Sequence, residues 1–222
     1  MLLETKIDKF VEDIENKIFS SYYKVGDKLP SERELKEQYH MCKTEVNSGL
    51  AVLKRKGFIK TKPRVGNFVK SYLETGNTEI LNSIIKKYDG TTILDEKLTK
   101  DFWEFRIAND LNCVALAAKN HTKEDIDKLN EYYNEIKDEM SVEELSKLFF
   151  HFHRQLYIAT NNFIYPLVYN AFKTVTLSIG NAQIISSHLD KYKTHMKDLI
   201  TAIEERDEEE AKQALLTLIT DI

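Results

Sequence analysis

The sequence predicts a mostly helical protein in which a small basic part precedes a larger acidic one. Glycine and proline are scarce, at 7 and 3 of 222 residues, which disfavours an architecture of strands and turns. Apolar residues recur with the spacing of amphipathic helices along most of the chain. Residues 1–72 carry 15 Lys and Arg against 10 Asp and Glu, whereas the rest of the chain carries 17 against 26. This asymmetry indicates that only the first part faces a polyanion.

Composition narrows the class of protein further. Apolar residues make up 42% of the chain and charged residues 31%, which is typical of a soluble globular protein. No apolar run approaches the ~20 residues of a membrane span, and the first residues lack the basic start and apolar middle of a signal peptide. Cys42 and Cys113 have neither disulfide nor metal-ligand spacing. We therefore expect a cytoplasmic protein that does not associate with membranes.

Residues 5–57 predict three helices. The apolar face of the first, over residues 5–21, consists of Ile7, Phe10, Val11, Ile14 and Ile18. The second helix starts at Ser31, which forms a capping box with Glu34, and is followed by a tight turn near His40. The third ends at Gly57, a residue typical of a helix C-terminus. Its apolar face consists of Val46, Leu50 and Leu53.

Two short strands follow, over residues 58–61 and 67–70, and a basic turn joins them. A helix, two helices joined by a tight turn, and a basic hairpin together predict a winged helix-turn-helix with a two-stranded wing over residues 1–72. In a helix-turn-helix, the N-terminal residues of the second helix reach base edges in the major groove of DNA. Residues 33–70 contain 10 basic and 3 acidic residues, an excess of positive charge that is typical of a nucleic-acid-binding segment.

The rest of the chain reads as helices. Residues 73–77 predict a polar linker, and residues 78–222 predict an antiparallel bundle of six or seven helices with short loops. Asn162 is predicted to cap one of these helices, with Pro166 in its first turn, where a missing N–H costs little. Capping pairs at three other helix starts are Thr122 with Asp125, Ser141 with Glu144, and Asp207 with Glu210.

Two stretches carry a resemblance to a known family. Residues 26–35, Gly-Asp-Lys-Leu-Pro-Ser-Glu-Arg-Glu-Leu, together with Phe68-Val69 in the wing, resemble the DNA-binding domain of GntR-type bacterial transcription regulators. Residues 78–218, with Phe105-Arg106 and Phe152-His153 among the matching positions, are similar to the FCD effector domain of the FadR subgroup, with details closest to its fatty-acid-responsive regulator. The resemblance implies a ligand-responsive transcription regulator that binds a near-palindromic, double-stranded operator as a homodimer.

The resemblance and the local pattern together give a set of candidate DNA-binding residues. They are Arg33, Lys43, Thr44, Glu45, Asn47, Lys62, Arg64 and Gly66. Several positions depart from the family pattern. Cys42 replaces a capping hydroxyl, Glu45 and Asn47 replace a small hydroxyl residue and an arginine, and Arg64 replaces a wing glycine. We expect these departures to change the operator sequence. The alternative is a small-molecule-sensing or protein-interaction module with a relic winged helix that no longer binds a specific operator.

Many effector domains of the subgroup that this chain resembles hold a divalent metal through one Asp and three His. Of the four corresponding positions in this chain, three carry Phe149, Met196 and Leu218, and only His153 can ligate. One imidazole does not hold a metal, and we therefore expect neither a metal nor another cofactor.

The helical domain is expected to bind a small organic acid or a fatty acyl group. Candidate effector-binding residues are Arg106, His153, Tyr157 and Asn181. Aromatic side chains between residues 149 and 172 are expected to line an apolar pocket. The chain lacks the glycine-rich phosphate loop, the G-x-S-x-G elbow and the H-E-x-x-H motif, and we expect no enzymatic activity.

Overall fold

The computed structural model describes residues 5–86, 93–173, 176–177 and 189–221. The chain divides into two compact units, Met1–Lys86 and Lys87–Ile222. No helix in the described part of the chain is long and apolar enough to cross a membrane.

The first unit is a winged helix-turn-helix, as predicted. Its elements are α1 (Lys6–Phe19), α2 (Glu32–Tyr39), α3 (Lys43–Lys56), β1 (Ile59–Lys62), β2 (Gly66–Val69), α4 (Tyr72–Thr75) and α5 (Thr78–Lys86). The two strands pair antiparallel, with Ile59 opposite Val69 and Lys62 opposite Gly66. The stretch before α2 extends this sheet, because Leu29 N–H donates to the carbonyl of Asn67 at 2.9 Å. The wing is therefore joined by hydrogen bonds to the segment that leads into α2.

Local signals in the sequence set the helix ends. Ser31 and Glu34 form the predicted capping box at the start of α2, with Ser31 N–H donating to Glu34 Oε2 at 2.7 Å. Gly57 ends α3 with a φ of 98°, a left-handed conformation that a side chain would strain. The core beneath the helices is apolar and closed; its most buried members are Phe10, Ile14, Leu35, Val46, Leu53 and Phe58.

The segment after the wing belongs to the first unit. Lys56 Nζ, at the end of α3, donates to Glu15 Oε1 at 2.7 Å and to Ser83 Oγ of α5 at 2.9 Å. Ile80 of α5 lies in the same core. The sequence placed the start of the helical domain at residue 78, but these contacts place α5 with the DNA-binding unit. The polar stretch read as a linker also contains the short helix α4.

The second unit is a helical bundle, as predicted. Its described helices are α6 (Ile93–Asn120), α7 (Lys123–Glu135), α8 (Val142–Ala159), α9 (Ile164–Ala171), α10 (Leu189–Glu204) and α11 (Glu208–Thr220). Helix α10 packs on α11, α11 on α6, and α7 on α8. The three predicted capping pairs all occupy helix starts. At α9 the N-cap residue is Phe163 and not the predicted Asn162. Asn162 precedes the N-cap, and its Oδ1 still accepts the N–H of Ile164 at 3.0 Å.

Candidate nucleic-acid interface and effector cavity

Helix α3 has one buried face and one exposed face. Val46, Leu50 and Leu53 are at most 7% exposed and anchor the helix in the core. The exposed side chains are Lys43, Thr44, Asn47, Ser48, Ala51, Lys54 and Arg55. Sequence reasoning named the first three of these and missed the other four. For Ser48 and Ala51 the signal was available, because they lie four and seven residues after Thr44, the helical spacing that returns to the same face.

Glu45 takes part in the helix start rather than in this exposed face. Its carboxylate accepts the N–H of Cys42 at 2.7 Å, and the residue is half-buried. This hydrogen bond is the main cause that lowers the pKa of Glu45. Since Cys42 is a poor capping residue, Glu45 supplies the carboxylate half of a capping box for α3.

The wing presents its cations to solvent. Lys62 and Arg64 are exposed, and Lys62 Nζ lies 4.6 Å from the centre of the Phe68 ring. Arg64 has a φ of 63°, the left-handed conformation that explains a glycine at this position in the family pattern. Gly66 has a φ of 140°, and a Cβ there would lie 2.7 Å from Lys28 Cε. Gly66 therefore permits close approach of the Lys28 side chain to the wing.

A cleft of about 380 Å³ separates the wing from the start of α2. Its walls carry four cations, from Lys28, Arg33, Lys62 and Arg64. Sequence reasoning named three of them, and Lys28 is the addition. The structure thus brings Arg33 together with the wing residues on one concave basic surface, while Lys43, Thr44 and Asn47 lie on the exposed face of α3. Phosphate oxygens are the partners that such clustered cations favour.

In the second unit, a charged pair is enclosed by aromatic rings. Arg106 Nε donates to Asp110 Oδ2 at 3.1 Å, and the two residues are 8% and 2% exposed. The Tyr157 hydroxyl donates to the other carboxylate oxygen of Asp110. Burial lowers the pKa of Arg106, but Tyr169 and Asp110 outweigh it and raise that pKa overall. The guanidinium therefore stays charged, and of its N–H groups only Nε–H has a hydrogen bond among the residues that the structure describes.

A small cavity of about 10 Å³ lies against this guanidinium. Its wall residues are Phe102, Phe105, Arg106, Asn109, Tyr157, Val168, Tyr169, Phe172 and Thr176. Two of the wall residues carry buried hydroxyls, Tyr169 Oη and Thr176 Oγ1, that have no hydrogen-bond partner among the described residues. Tyr169 and Thr176 are 3% and 6% exposed. Buried polar groups without partners are uncommon, and here two of them line one cavity beside a cation.

Of the predicted effector residues, Arg106 and Tyr157 line this cavity, and His153 does not. His153 is buried, and its Nε2 lies 3.2 Å from the hydroxyl of Tyr192. Burial, with a smaller contribution from the Arg106 charge, lowers the pKa of His153 well below its usual value. Asn181 lies outside the described residues and stays a prediction. From the sequence, Tyr169 was expected only as one of several aromatic residues lining an apolar pocket. Thr176 was not predicted to be part of the site.

The positions of the family's metal ligands are packed with apolar side chains. Phe149, Met196 and Leu218 are at most 7% exposed and belong to the core of the second unit. The Phe149 ring lies 4.3 Å from that of Tyr192. Within the described ranges no three His, Cys, Asp or Glu residues come together in a group that could hold a metal ion.

An exposed helix-turn-helix with a basic wing, followed by a helical unit with a small, largely aromatic cavity beside a buried cation, defines a two-part DNA-binding regulator. The model of the gntR family of bacterial regulatory proteins matches residues 6–69, and the FCD domain model matches residues 101–221. The chain therefore belongs to the GntR family of transcription regulators and carries an FCD effector-binding domain, which confirms the resemblance seen in the sequence.

Similar proteins agree with this assignment. The transcriptional repressor NanR of Cronobacter sakazakii is 23% identical over 100% of this chain and 85% of its own length. The fatty acid metabolism regulator protein of Proteus mirabilis is 26% identical over 76% of this chain and 68% of its own length. Among solved structures, Lar, described as controlling the Listeria monocytogenes agr system, has a TM-score of 0.54 at 13% identity, with 100% of this chain and 96% of that chain covered. This last likeness concerns the fold alone.

Proposed function

We propose that this regulator binds a near-palindromic operator as a homodimer in the cytoplasm, and that a small organic acid or fatty acyl effector in its FCD domain sets its affinity for DNA. The observation that carries the proposal is the pairing, in one chain, of an exposed basic surface with an enclosed, cation-lined cavity. The relatives named as regulators and repressors support it.

The DNA-binding part of the proposal assigns distinct roles to the two basic regions. Lys28, Arg33, Lys62 and Arg64 surround a cleft and would hold phosphates, which positions the protein without reading sequence. Thr44 and Asn47 lie on the exposed face of α3 and would reach base edges. One such face reads only a short half-site, and a two-fold dimer matches the two half-sites of a palindrome.

The domain assignment follows from the contacts of α5. We infer that Met1–Lys86 and Lys87–Ile222 are the DNA-binding and effector-binding domains. The boundary then lies near residue 86, because Ser83 is held by Lys56 of α3.

For the effector, the cavity wall indicates an acid with an apolar body. The Arg106 guanidinium and the hydroxyls of Tyr169 and Thr176 would bind a carboxylate, and the remaining wall is largely aromatic. The charge of Arg106 is already shared with Asp110, and the apolar surround therefore favours a monoanion over a dicarboxylate. At about 10 Å³ the cavity holds no acyl chain as it stands, and so the side chains of α9 would have to move when the effector enters.

The DNA proposal is tested by selecting bound duplexes from a random pool with the full chain and measuring their affinity at several salt concentrations. We expect at least ~10³-fold preference over random DNA and a steep salt dependence. Lys62→Ala should weaken binding to all duplexes and reduce the salt slope by about 1. Lys147→Ala, which removes an exposed cation of α8, is the charge-matched control. Equal affinity for all sequences would favour the relic winged helix instead.

The effector proposal is tested with octanoate and 1-octanol as probes. Calorimetry should show binding of octanoate and none of octanol, because only the acid pairs with Arg106. Thr176→Val keeps the shape of the side chain but removes a hydroxyl that has no partner within the described part of the chain. This variant should unfold at higher denaturant concentration, because its free energy of unfolding rises by about 1 kcal/mol. It should also bind octanoate more weakly. If the variant is less stable than the wild type and binds octanoate normally, Thr176 contributes to core packing and not to effector binding.

A further inference from the structure

The exposed face of α3 lacks the side chain best suited to guanine. Arg and Lys form the commonest specific contacts to guanine, and the rigid fork of Arg makes two hydrogen bonds at once. The exposed residues along this face, from Lys43 to Lys54, include no arginine. Arg55 follows on the last turn of α3, where its Nε lies 3.2 Å from Glu79 Oε2 of α5. Residues 43–54 of α3 therefore offer no bidentate arginine contact to guanine.

The acidic residue that could accept from cytosine is also engaged. Glu45 holds the N–H of Cys42 at 2.7 Å and closes the first turn of α3. Releasing it would leave that backbone N–H without its cap and weaken the helix start. Glu45 therefore acts on DNA readout through the position of α3, not through a base.

Asn47 is left at the centre of the face with its carboxamide free. It is exposed, with Thr44 one turn before it and Ala51 one turn after it, and it makes no side-chain hydrogen bond within the described ranges. A carboxamide offers one acceptor and two donors, the complement of N6 and N7 of adenine in the major groove. An alanine methyl packs on the C5-methyl of thymine.

We propose that Asn47 reads an adenine in each operator half-site, with the Ala51 methyl against an adjacent thymine, so that α3 selects A·T pairs. The inference rests on the proposed DNA-binding function and specifies its sequence. The wing supports it independently. Arg64 is exposed in the turn of the wing, and the narrow minor groove of A·T-rich DNA attracts an inserted arginine through its enhanced negative potential.

The experiment is a selection from random duplexes with the full wild-type chain and with Asn47→Ala and Asn47→Arg. The wild type should enrich adenine at one position of each half-site. Asn47→Ala should lose that preference and about 5- to 150-fold in affinity for the selected duplex, whereas Asn47→Arg should enrich guanine at the same position. Asn112→Ala, an exposed asparagine of α6 in the second unit, is the matched control and should retain the wild-type motif.

The outcomes separate this inference from the function on which it rests. A selected motif with G·C at the central positions, or an adenine preference that survives in Asn47→Ala, would overturn the role of Asn47 and leave sequence-specific DNA binding intact. If the wild type enriches no motif at all, the proposed function fails and the inference fails with it. Circular dichroism of each variant shows that the helical content of the chain is unchanged.

Discussion

The two units of the chain place their candidate functional side chains in opposite ways. In the DNA-binding unit, Arg33, Lys43 and Arg64 are exposed, and the core beneath them is apolar. In the effector unit, Arg106 and Asp110 are buried among aromatic rings and between helices. The first scaffold therefore folds without its functional side chains, whereas the second depends on them. A substitution at a functional position should cost DNA binding alone in one unit, and both stability and binding in the other.

The largest expected effect tests this contrast directly. Arg106→Met leaves the buried carboxylate of Asp110 without its cation, and we expect a loss of about 3–5 kcal/mol in the free energy of unfolding of the effector unit. Urea unfolding followed by the fluorescence of Trp103, whose ring lies 5.5 Å from the guanidinium carbon, measures it. Lys43→Met in the exposed face of α3, followed by circular dichroism because Trp103 lies in the effector unit, should change stability by less than about 0.5 kcal/mol. Similar losses in the two variants would contradict the contrast.

A second prediction concerns the scaffold of the DNA-binding unit. Gly49 of α3 packs on α1 so closely that a Cβ would overlap the ring of Phe10. Gly49→Ala should therefore destabilise the unit by about 1–3 kcal/mol, although alanine favours a helix. The neighbouring exposed residue provides the control, since Ser48→Ala meets no such ring and should stay within about 0.5 kcal/mol of the wild type. Thermal unfolding of both variants measures the difference, and a neutral Gly49→Ala would mean that Phe10 can move aside.

A third prediction uses pH to separate the units. Burial lowers the pKa of His153 below its unfolded value of about 6.5. Between the two pKa values, the imidazole is therefore protonated in the unfolded chain and neutral in the folded unit. This contribution to stability is complete above pH ~6.5 and is lost as the pH falls from there towards the folded pKa, by at most about 1.4 kcal/mol per pH unit. Urea unfolding between pH 7.5 and 5.5 should show the loss in the effector unit. His153→Gln should remove most of it, and a slope that persists in this variant would assign the effect to other groups.

Sequence reasoning reached further in the first unit because its signals are local. The capping box of Ser31 and Glu34 and the left-handed Gly57 are each readable from a few neighbouring residues. The contact of Ser83 with Glu15 joins residues 68 positions apart, and no local spacing encodes it, so the sequence alone did not predict that α5 packs with the first unit. Glu45 was predicted to contact DNA from its position in the family pattern, and its hydrogen bond to the N–H of Cys42 is a contact that the sequence did not predict.

In the second unit, the sequence identified single residues more readily than their arrangement. Arg106 and Tyr157 were named, and they meet at Asp110, which lies four residues after Arg106 on α6. Thr176 is brought to the cavity by the packing of several helices, which depends on side-chain volumes throughout the core. A site that lies between helices is therefore less readable from sequence than one on the exposed face of a single helix.

The smallest predicted effect is also the one in which function and stability have opposite signs. Arg64 has a φ of 63° at the wing turn, and Arg64→Gly should relieve this strain and stabilise the DNA-binding unit by about 0.5–1 kcal/mol. The same change removes a wing cation, and the slope of log affinity against log salt should fall by about 1. His40 has a φ of 50° after α2, and so His40→Gly relieves similar strain without removing a cation. If the two glycine variants weaken DNA binding equally, Arg64 acts only through the backbone; if only Arg64→Gly does, the wing retains a strained residue because its charge binds DNA.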